Sequence, residues 1–398
     1  MSLAVDPYLW DWGDLLFRWL HVIAAIVWIG TSFYFVALDS HLRPPADERD
    51  VERGVSGESW EIHGGGFYRI EKFRVAPPRL PEPLHWFKWE AYTTWLSGFA
   101  LFVVVYYVHA SSFLVDPSVA HLKSWEAIAL SVAGLALAWV VYDGLCRLLG
   151  RDERLLALAV FGFVALSAWG ASRLFAPRAA YLEVGAMIGT MMVANVFFVI
   201  IPAHWELIRA KEAGREPDPR WNLRGKQRSV HNNYLTLPVL FAMLSNHFAF
   251  TYEHAHAWLV LVVLMALGAL ARHFFNLRHA GRNAWWIPVT ALVSFGVVAY
   301  LIRPGSGPAV ASGGPAVPFA RANAVIQQRC VPCHSASPTQ PGVGSAPKGV
   351  RFDTRAEIES QAQAILEQAV VLKVMPLGNV SHMTQPERDL LARWLRSR

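Results

Sequence analysis

Long apolar segments alternate with shorter polar ones along most of the chain. Eight segments are long and apolar enough to cross a bilayer as helices, which takes about 20 residues. They cover residues 12–38, 88–110, 123–146, 154–175, 180–208, 233–250, 255–277 and 284–302. The sixth is the shortest and contains Pro238. The pattern therefore predicts an all-α domain of eight membrane-spanning helices over residues 1–303, embedded in a lipid membrane.

The remainder of the chain has a different character. Residues 304–318 contain only Pro, Gly, Ser, Ala and Val, which predicts a flexible linker. Residues 319–329 have helical apolar spacing, and further helices are predicted near residues 355–371 and 385–395. Thr384 and Glu387 form a capping-box pattern before the last helix. A small helical domain is therefore predicted over residues 319–398.

This small domain carries the sequence Cys330-Val331-Pro332-Cys333-His334. C-x-x-C-H is the attachment signature of a c-type haem, in which two thiols bond the haem vinyl groups and the histidine binds the iron. A zinc site would need further ligands at similar spacing, and the only other cysteine is the distant Cys146. A thioredoxin-like motif would need a βαβ context, which is absent from the predicted elements. The motif therefore predicts one covalent haem c.

The last eighty residues resemble the small class I cytochrome c family. In that family a methionine followed by proline supplies the second axial ligand, and Met375-Pro376 matches this pattern. Met383 is a competing candidate, and a core methionine is the alternative role for Met375. The resemblance thus implies that His334 and Met375 bind the haem iron.

Topology follows from two arguments that agree. Haem c is attached outside the cytoplasmic membrane, so the C-terminal domain is expected in the periplasm, and with eight spans the N-terminus lies there too. The positive-inside rule then expects Lys and Arg in the first, third, fifth and seventh loops. Those loops are rich in both, whereas the opposite side holds only Lys123, Arg173, Arg178 and Arg303. The net charge of +6 thus reflects orientation in the inner membrane, and a nucleic-acid partner is not expected.

Ionisable groups inside membrane spans are costly and often functional. His21 lies within the first span among small residues that would let a flat ring approach, which suits a ligand of a second haem, haem b. A histidine hydrogen-bonded to a neighbouring helix is the alternative. For four further histidines near the periplasmic side the structural alternative is favoured: His109, His247, His254 and His256.

A second group of polar residues is predicted at the cytoplasmic side. His63 precedes three glycines, which either let a ligand approach backbone N–H groups or simply form a turn. The entry to the second span contains His85, Trp86 and Glu90. Arg272 and Arg278 stand at the end of the seventh. An aromatic belt and snorkelling cations explain part of this pattern, but not the histidines and the glutamate.

Several of these motifs together resemble the membrane-bound bacterial urate oxidase (urate hydroxylase) family. The matching segments are residues 18–30, 63–68, 84–92 and 274–279. Members of that family join a multi-span N-terminal domain to a C-terminal cytochrome c. The resemblance implies oxidation of urate to 5-hydroxyisourate, with electrons passed to cytochrome c. From there they would reach a respiratory acceptor, either a soluble cytochrome or a terminal oxidase.

Residue roles can be assigned on this basis. Urate is a planar anion, so a pocket with cations and an aromatic face is expected to bind it, and we assign Arg272, Arg278 and Trp86 to that role. His63, His85 and Glu90 are candidates for accepting a proton during the reaction. Because the cytochrome lies across an apolar layer about 30 Å thick, the haem b predicted on His21 would relay the electrons.

A non-enzymatic alternative explains the composition equally well. In it the chain is a membrane-anchored cytochrome c that receives electrons from quinol or from a partner complex. The cationic cluster and the long polar loop at residues 39–88 favour the enzyme, since an anchor needs only one helix. A transporter is less favoured, because no paired broken helices are visible in the sequence.

Overall fold

The structure is a computed structural model that describes residues 7–74, 76–303, 317–340 and 343–396. Helices dominate it. The first domain contains α1 (Pro7–His41), α2 (Glu48–Glu52), β1 (Val55–His63), β2 (Gly66–Phe73), α3 (Trp89–Phe102), α4 (Ala110–Phe113), α5 (Ser124–Leu149), α6 (Glu153–Leu174), α7 (Pro177–Asn195), α8 (Ile201–Glu212), α9 (Pro219–Leu244), α10 (Ala249–Tyr252), α11 (Ala257–His279) and α12 (Trp286–Leu301). The second contains α13 (Phe319–Arg329), α14 (Arg355–Ser360), α15 (Ala362–Ile365) and α16 (Gln385–Arg396).

Each of the eight predicted spans overlaps a helix. Five helices of the described chain are long and apolar enough to cross a membrane, and they cover Trp12–His41, Ser124–Leu149, Glu153–Leu174, Pro177–Glu212 and Ala257–His279. The helix Pro177–Glu212 is continuous because a π-helical turn, Val196–Ile200, joins α7 to α8. For the spans that coincide with α3, α9 and α12, membrane crossing stays a prediction.

The all-α prediction for the first domain is wrong in one region. The polar loop after α1 forms an antiparallel hairpin of β1 and β2, in which His63 pairs with Gly66. Gly64 and Gly65 have positive φ angles of 57° and 82°, which a tight two-residue hairpin turn requires. The glycine run after His63 therefore serves as a turn.

Ion pairs and hydrogen bonds hold the hairpin against its neighbours. Arg69 of β2 pairs with Asp50 of α2 and with Glu58 of β1. The Tyr34 hydroxyl of α1 donates to Glu61 of β1 over 2.8 Å. These contacts fix the hairpin beside the end of α1.

Helix α7 forms the centre of the first domain. Nearly all its side chains are buried, and it packs against α5, α6 and α9. Helix α1 packs mainly on α3 and also contacts α11. Many side chains of α1 and α12 that face away from these neighbours are apolar and exposed, as expected of lipid-facing positions.

The predicted elements of the second domain are present. Helices α13 and α16 match the first and last predicted helices, and residues 355–371 are helical throughout α14, α15 and the π-helical segment that follows. The backbone N–H of Thr384 donates to the Glu387 carboxylate over 2.7 Å, as the capping pattern predicts. Most of the predicted linker, residues 304–316, lies outside the described residues.

The second domain touches the first through the loop that follows Met375. Gly378 lies so close to α4 that a Cβ atom there would come within 2.7 Å of the Ser112 carbonyl oxygen. Val374 joins the buried apolar cluster of the first domain, and Met375 packs against it. The Met375 loop is therefore the docking surface of the second domain.

Replacing Gly378 with alanine is expected to open this contact. The added methyl group would collide with backbone of α4, and a φ of +57° is also strained for alanine. Hydrogen exchange of the amides at residues 110–116 should rise at least about tenfold. Gly349→Ala is the matched control, because Gly349 has a φ of +68° but nothing within 4 Å. Equal exchange in both variants would contradict a docked second domain.

Candidate functional site

Arg272 of α11 is buried, with 4% of its surface exposed. Its guanidinium lies over the ring of Phe33 of α1, with Cζ 3.9 Å from the ring centroid. Nε donates a hydrogen bond to Asn233 Oδ1 of α9, but Nη2 is buried without a hydrogen-bond partner. A buried cation with a free donor is costly unless a ligand satisfies it, so Nη2 marks a candidate binding site.

A second unsatisfied group lies one helical turn further along α11. Asn276 has a buried Oδ1 without a partner. It lies four positions after Arg272, so both residues face the same side of the helix. Farther on, the ring of His279 contacts His41 of α1 at 5.4 Å between centroids. Arg272 and Asn276 thus lie along the seam where α1 and α11 run side by side, which we call the α1–α11 seam.

The seam ends at a cleft between α1 and the hairpin. Its cavity volume is about 590 Å³, and His41, Tyr34, Glu58 and Trp60 are among the residues that line it. His41 lines the cleft and also contacts His279 of α11, so the cleft lies beside the end of the seam. The arrangement offers a planar anion one cationic donor and one amide, in a largely apolar surrounding.

A buried polar network that the sequence analysis missed lies next to this site, across α9. Arg228 pairs with Asp143 of α5 over 2.6 Å and donates to Asn195 Oδ1 of α7. Asn195 in turn donates to the Tyr142 hydroxyl, which is 2.7 Å from His231 Nδ1. The signal available in the sequence was an asparagine and an aspartate inside otherwise apolar segments.

The other predicted substrate and proton-transfer residues are spread along one end of the domain. His63 is exposed at the hairpin turn, and His85 is exposed with its ring 4.6 Å from Phe87. Trp86 stacks on Trp205 of α8 at 4.7 Å. Arg278 is exposed, with its Cζ 5.7 Å from the ring of Trp285.

Glu90 differs from these residues. It lies in the first turn of α3, and its Oε2 is buried without a hydrogen-bond partner. Helix α1 contacts both α3, whose first turn contains Glu90, and α11, which carries Arg272. Of the three predicted proton acceptors, Glu90 is the one with an unsatisfied buried atom.

His21 connects α1 to α3. Its Nδ1 is 2.9 Å from the Thr94 carbonyl oxygen, and its ring lies against Gly98, where a Cβ atom would come within 2.7 Å of Cε1. These contacts are those of a histidine that joins two helices, and no second histidine is among them. The haem b ligand stays a prediction.

The residues of the C-x-x-C-H motif could hold a haem c. Both thiols are free, and the His334 N–H donates to the Cys330 carbonyl, which folds the motif into a single turn. His334 Nδ1 is 3.0 Å from the Val350 carbonyl oxygen. A proton on Nδ1 leaves Nε2 as the nitrogen able to bind iron, which is how ligating histidines are commonly held. Burial and the adjacent Cys333 raise the pKa of the Cys330 thiol to about 12.

Backbone contacts position the two methionine candidates. Arg388 of α16 donates to the carbonyl oxygens of Ala369 and Met375, which anchors the Met375 loop. Met383 is 3% exposed inside the core of the second domain. Met375 instead lies where the cores of both domains meet. Within the described ranges there is no group of three or more His, Cys, Asp or Glu side chains placed to hold a metal ion by themselves.

Glu253, which follows α10, is expected to make the thermal stability of the protein depend on pH. Burial, and secondarily Asp116, raise the pKa of its carboxyl from 4.5 to about 7, while Arg388 of the second domain acts in the opposite direction. Below pH 4.5 the Glu253 carboxyl is protonated and its burial does not lower the free energy of unfolding. Above about pH 7 the carboxyl is ionised, and the full cost of burying its charge is present. Thermal stability should therefore fall as pH rises through this window, by about 3 kcal/mol at most. Thermal unfolding of Glu253→Gln should lack this component, and an unchanged pH slope would contradict it.

Comparison with known proteins gives one match. A family model described as Urate oxidase N-terminal matches residues 7–303. Neither the curated proteins nor the solved structures give a significant match. The matched range contains the α1–α11 seam and the polar network, and it ends where the first domain ends.

Proposed function

The chain belongs to the urate oxidase N-terminal family, and on that premise we propose that it is a membrane-bound urate oxidase that uses a haem c in its own C-terminal domain. It converts urate and water to 5-hydroxyisourate, with release of two electrons and two protons. The electrons leave the second domain for a respiratory acceptor. Urate binds at the cytoplasmic end of the first domain, at the α1–α11 seam. The second domain lies in the periplasm.

The observation that carries the proposal is the buried, unpartnered Nη2 of Arg272. Urate presents carbonyl oxygens and a negative charge at neutral pH, which a guanidinium N–H recognises through a charge-assisted hydrogen bond. The Asn276 amide, one turn away, accepts from a ring N–H of the same planar molecule. Glu90, with its unsatisfied oxygen, is the candidate that takes a proton from urate or from the attacking water.

In the second domain, Cys330 and Cys333 would form the thioether bonds to the haem, and His334 and Met375 would bind its iron. The bound haem c supplies a one-electron acceptor, whose potential a thioether ligand raises. Val350 holds the tautomer of His334 and Arg388 holds the Met375 backbone. The two sites lie at opposite ends of the first domain, so the proposal includes an electron relay between them, for which haem b at His21 is the predicted group.

An anaerobic optical spectrum of the purified, oxidised full-length protein tests the proposal. Urate should reduce the α-band of the c-type haem, whereas xanthine and allantoin should not. A second α-band would identify the haem b. Reduction by a quinol without any reduction by urate would instead support the electron carrier.

A further inference from the structure

Two buried donors without partners lie at the opposite end of the first domain from the seam, beneath the second domain. The Tyr106 hydroxyl is buried with no hydrogen-bond partner, on a residue that is 4% exposed. The Arg178 Nε is likewise buried without a partner, and Arg178 forms no ion pair with any residue in the described part of the chain. Tyr106 shares a buried cluster with Tyr252, and Tyr252 lines a cavity together with Pro177, the residue before Arg178, so the two donors lie in one region.

This region adjoins the domain interface. Tyr106 and Tyr252 belong to the same buried cluster as Val374, which precedes the Met375 loop. A cavity of about 230 Å³ lies alongside, and Pro177, Tyr252 and Glu253 line it. Pro177 directly precedes Arg178, so this cavity adjoins the N-terminus of α7.

The chemistry of the region favours an anion. The Arg178 Nε–H and the Tyr106 O–H both donate, and neither atom finds an acceptor within the described residues. Arg178 is the second residue of α7, so the helix N-terminus adds positive potential. Arg178 is half-buried, but its buried Nε has no acceptor, and an anionic ligand would supply one.

We propose that Tyr106 and Arg178 form an anion-binding site between the two domains, which accepts an anionic oxygen of a planar ligand. Two sources fit this chemistry, and both rest on the proposed function. One is a carboxylate of the haem c carried by the second domain. The other is free urate, bound beside its electron acceptor, which would make a relay across the first domain unnecessary.

Two variants of the full-length protein test the site, namely Tyr106→Phe and Arg178→Gln. Because the Tyr106 hydroxyl has no partner in the protein itself, its removal costs at most one hydrogen bond to the ligand, so a loss of function is not explained by unfolding. Arg303→Gln is the matched control, since it removes the same charge from an exposed position after α12, at the same end of the domain but outside the cavity.

The readouts distinguish the two sources. If the ligand is a haem carboxylate, both variants lower the haem midpoint potential measured without urate, because they remove hydrogen-bond donors that favour the reduced haem. The KM for urate is then unchanged. If the ligand is urate, KM rises about tenfold or more and the potential is unchanged. A haem midpoint potential and a KM that both equal those of Arg303→Gln would overturn the site. If urate did not reduce the haem at all, the proposed function would be refuted. The haem midpoint potential would still test the anion-binding site.

Discussion

Replacing Arg272 with glutamine is expected to lower kcat/KM for urate about 10- to 100-fold, because one charge-assisted hydrogen bond to the substrate is lost. Its Nη2 is the unsatisfied donor of the α1–α11 seam. The measurement is urate-dependent reduction of the proposed C-terminal haem c under anaerobic conditions. Arg282→Gln is the control, since Arg282 is exposed on the loop that follows α11.

The Asn276→Leu variant separates a binding role from a structural one. Its Oδ1 is buried without a partner, so an apolar residue of similar shape should leave the thermal unfolding temperature unchanged or raise it. The same substitution should raise KM for urate, because the acceptor is lost. A more stable protein with weaker substrate binding is the signature of a site that is unsatisfied until its ligand arrives. Normal KM values in both Asn276→Leu and Arg272→Gln would place urate elsewhere.

Replacing Cys330 and Cys333 together with serine is expected to abolish covalent haem attachment, because serine cannot form thioether bonds. A haem-dependent peroxidase stain of the denatured chain should disappear, and urate should no longer give a reduced c-type spectrum. Cys146→Ser is the matched control, because Cys146 lies buried in α5, far along the chain from the motif. Its stain should equal that of the wild type. A stain that survives the double substitution would contradict haem attachment at this motif.

The helices could be predicted from the sequence because their signals are local. Twenty consecutive apolar residues are incompatible with an exposed position in water, whatever surrounds them, so all eight predicted spans coincide with helices. Thr384 and Glu387 formed their predicted contact because a capping pattern involves only residues three apart. The C-x-x-C-H motif is equally local, since its thiols and imidazole lie on one turn.

The hairpin was missed for a physical reason. Its strands carry charged and apolar residues without strict alternation. The side-chain contacts that hold it join residues well separated along the chain, Arg69 with Asp50 (19 positions) and Tyr34 with Glu61 (27 positions). The three glycines after His63 were compatible with a ligand loop or a turn. Only the pairing of His63 with Gly66 decided between them.

The sequence by itself determined the residue types of the candidate sites, the order of the domains and the family resemblance. Only the tertiary structure decided which of those residues lack a partner. Arg272 and Arg278 are alike in sequence, yet one is buried against Phe33 and the other is exposed beside Trp285. Tyr106 and Arg178 gave no signal, because an unsatisfied hydrogen bond is a property of the whole surroundings of an atom, and those surroundings come from helices far apart in the chain.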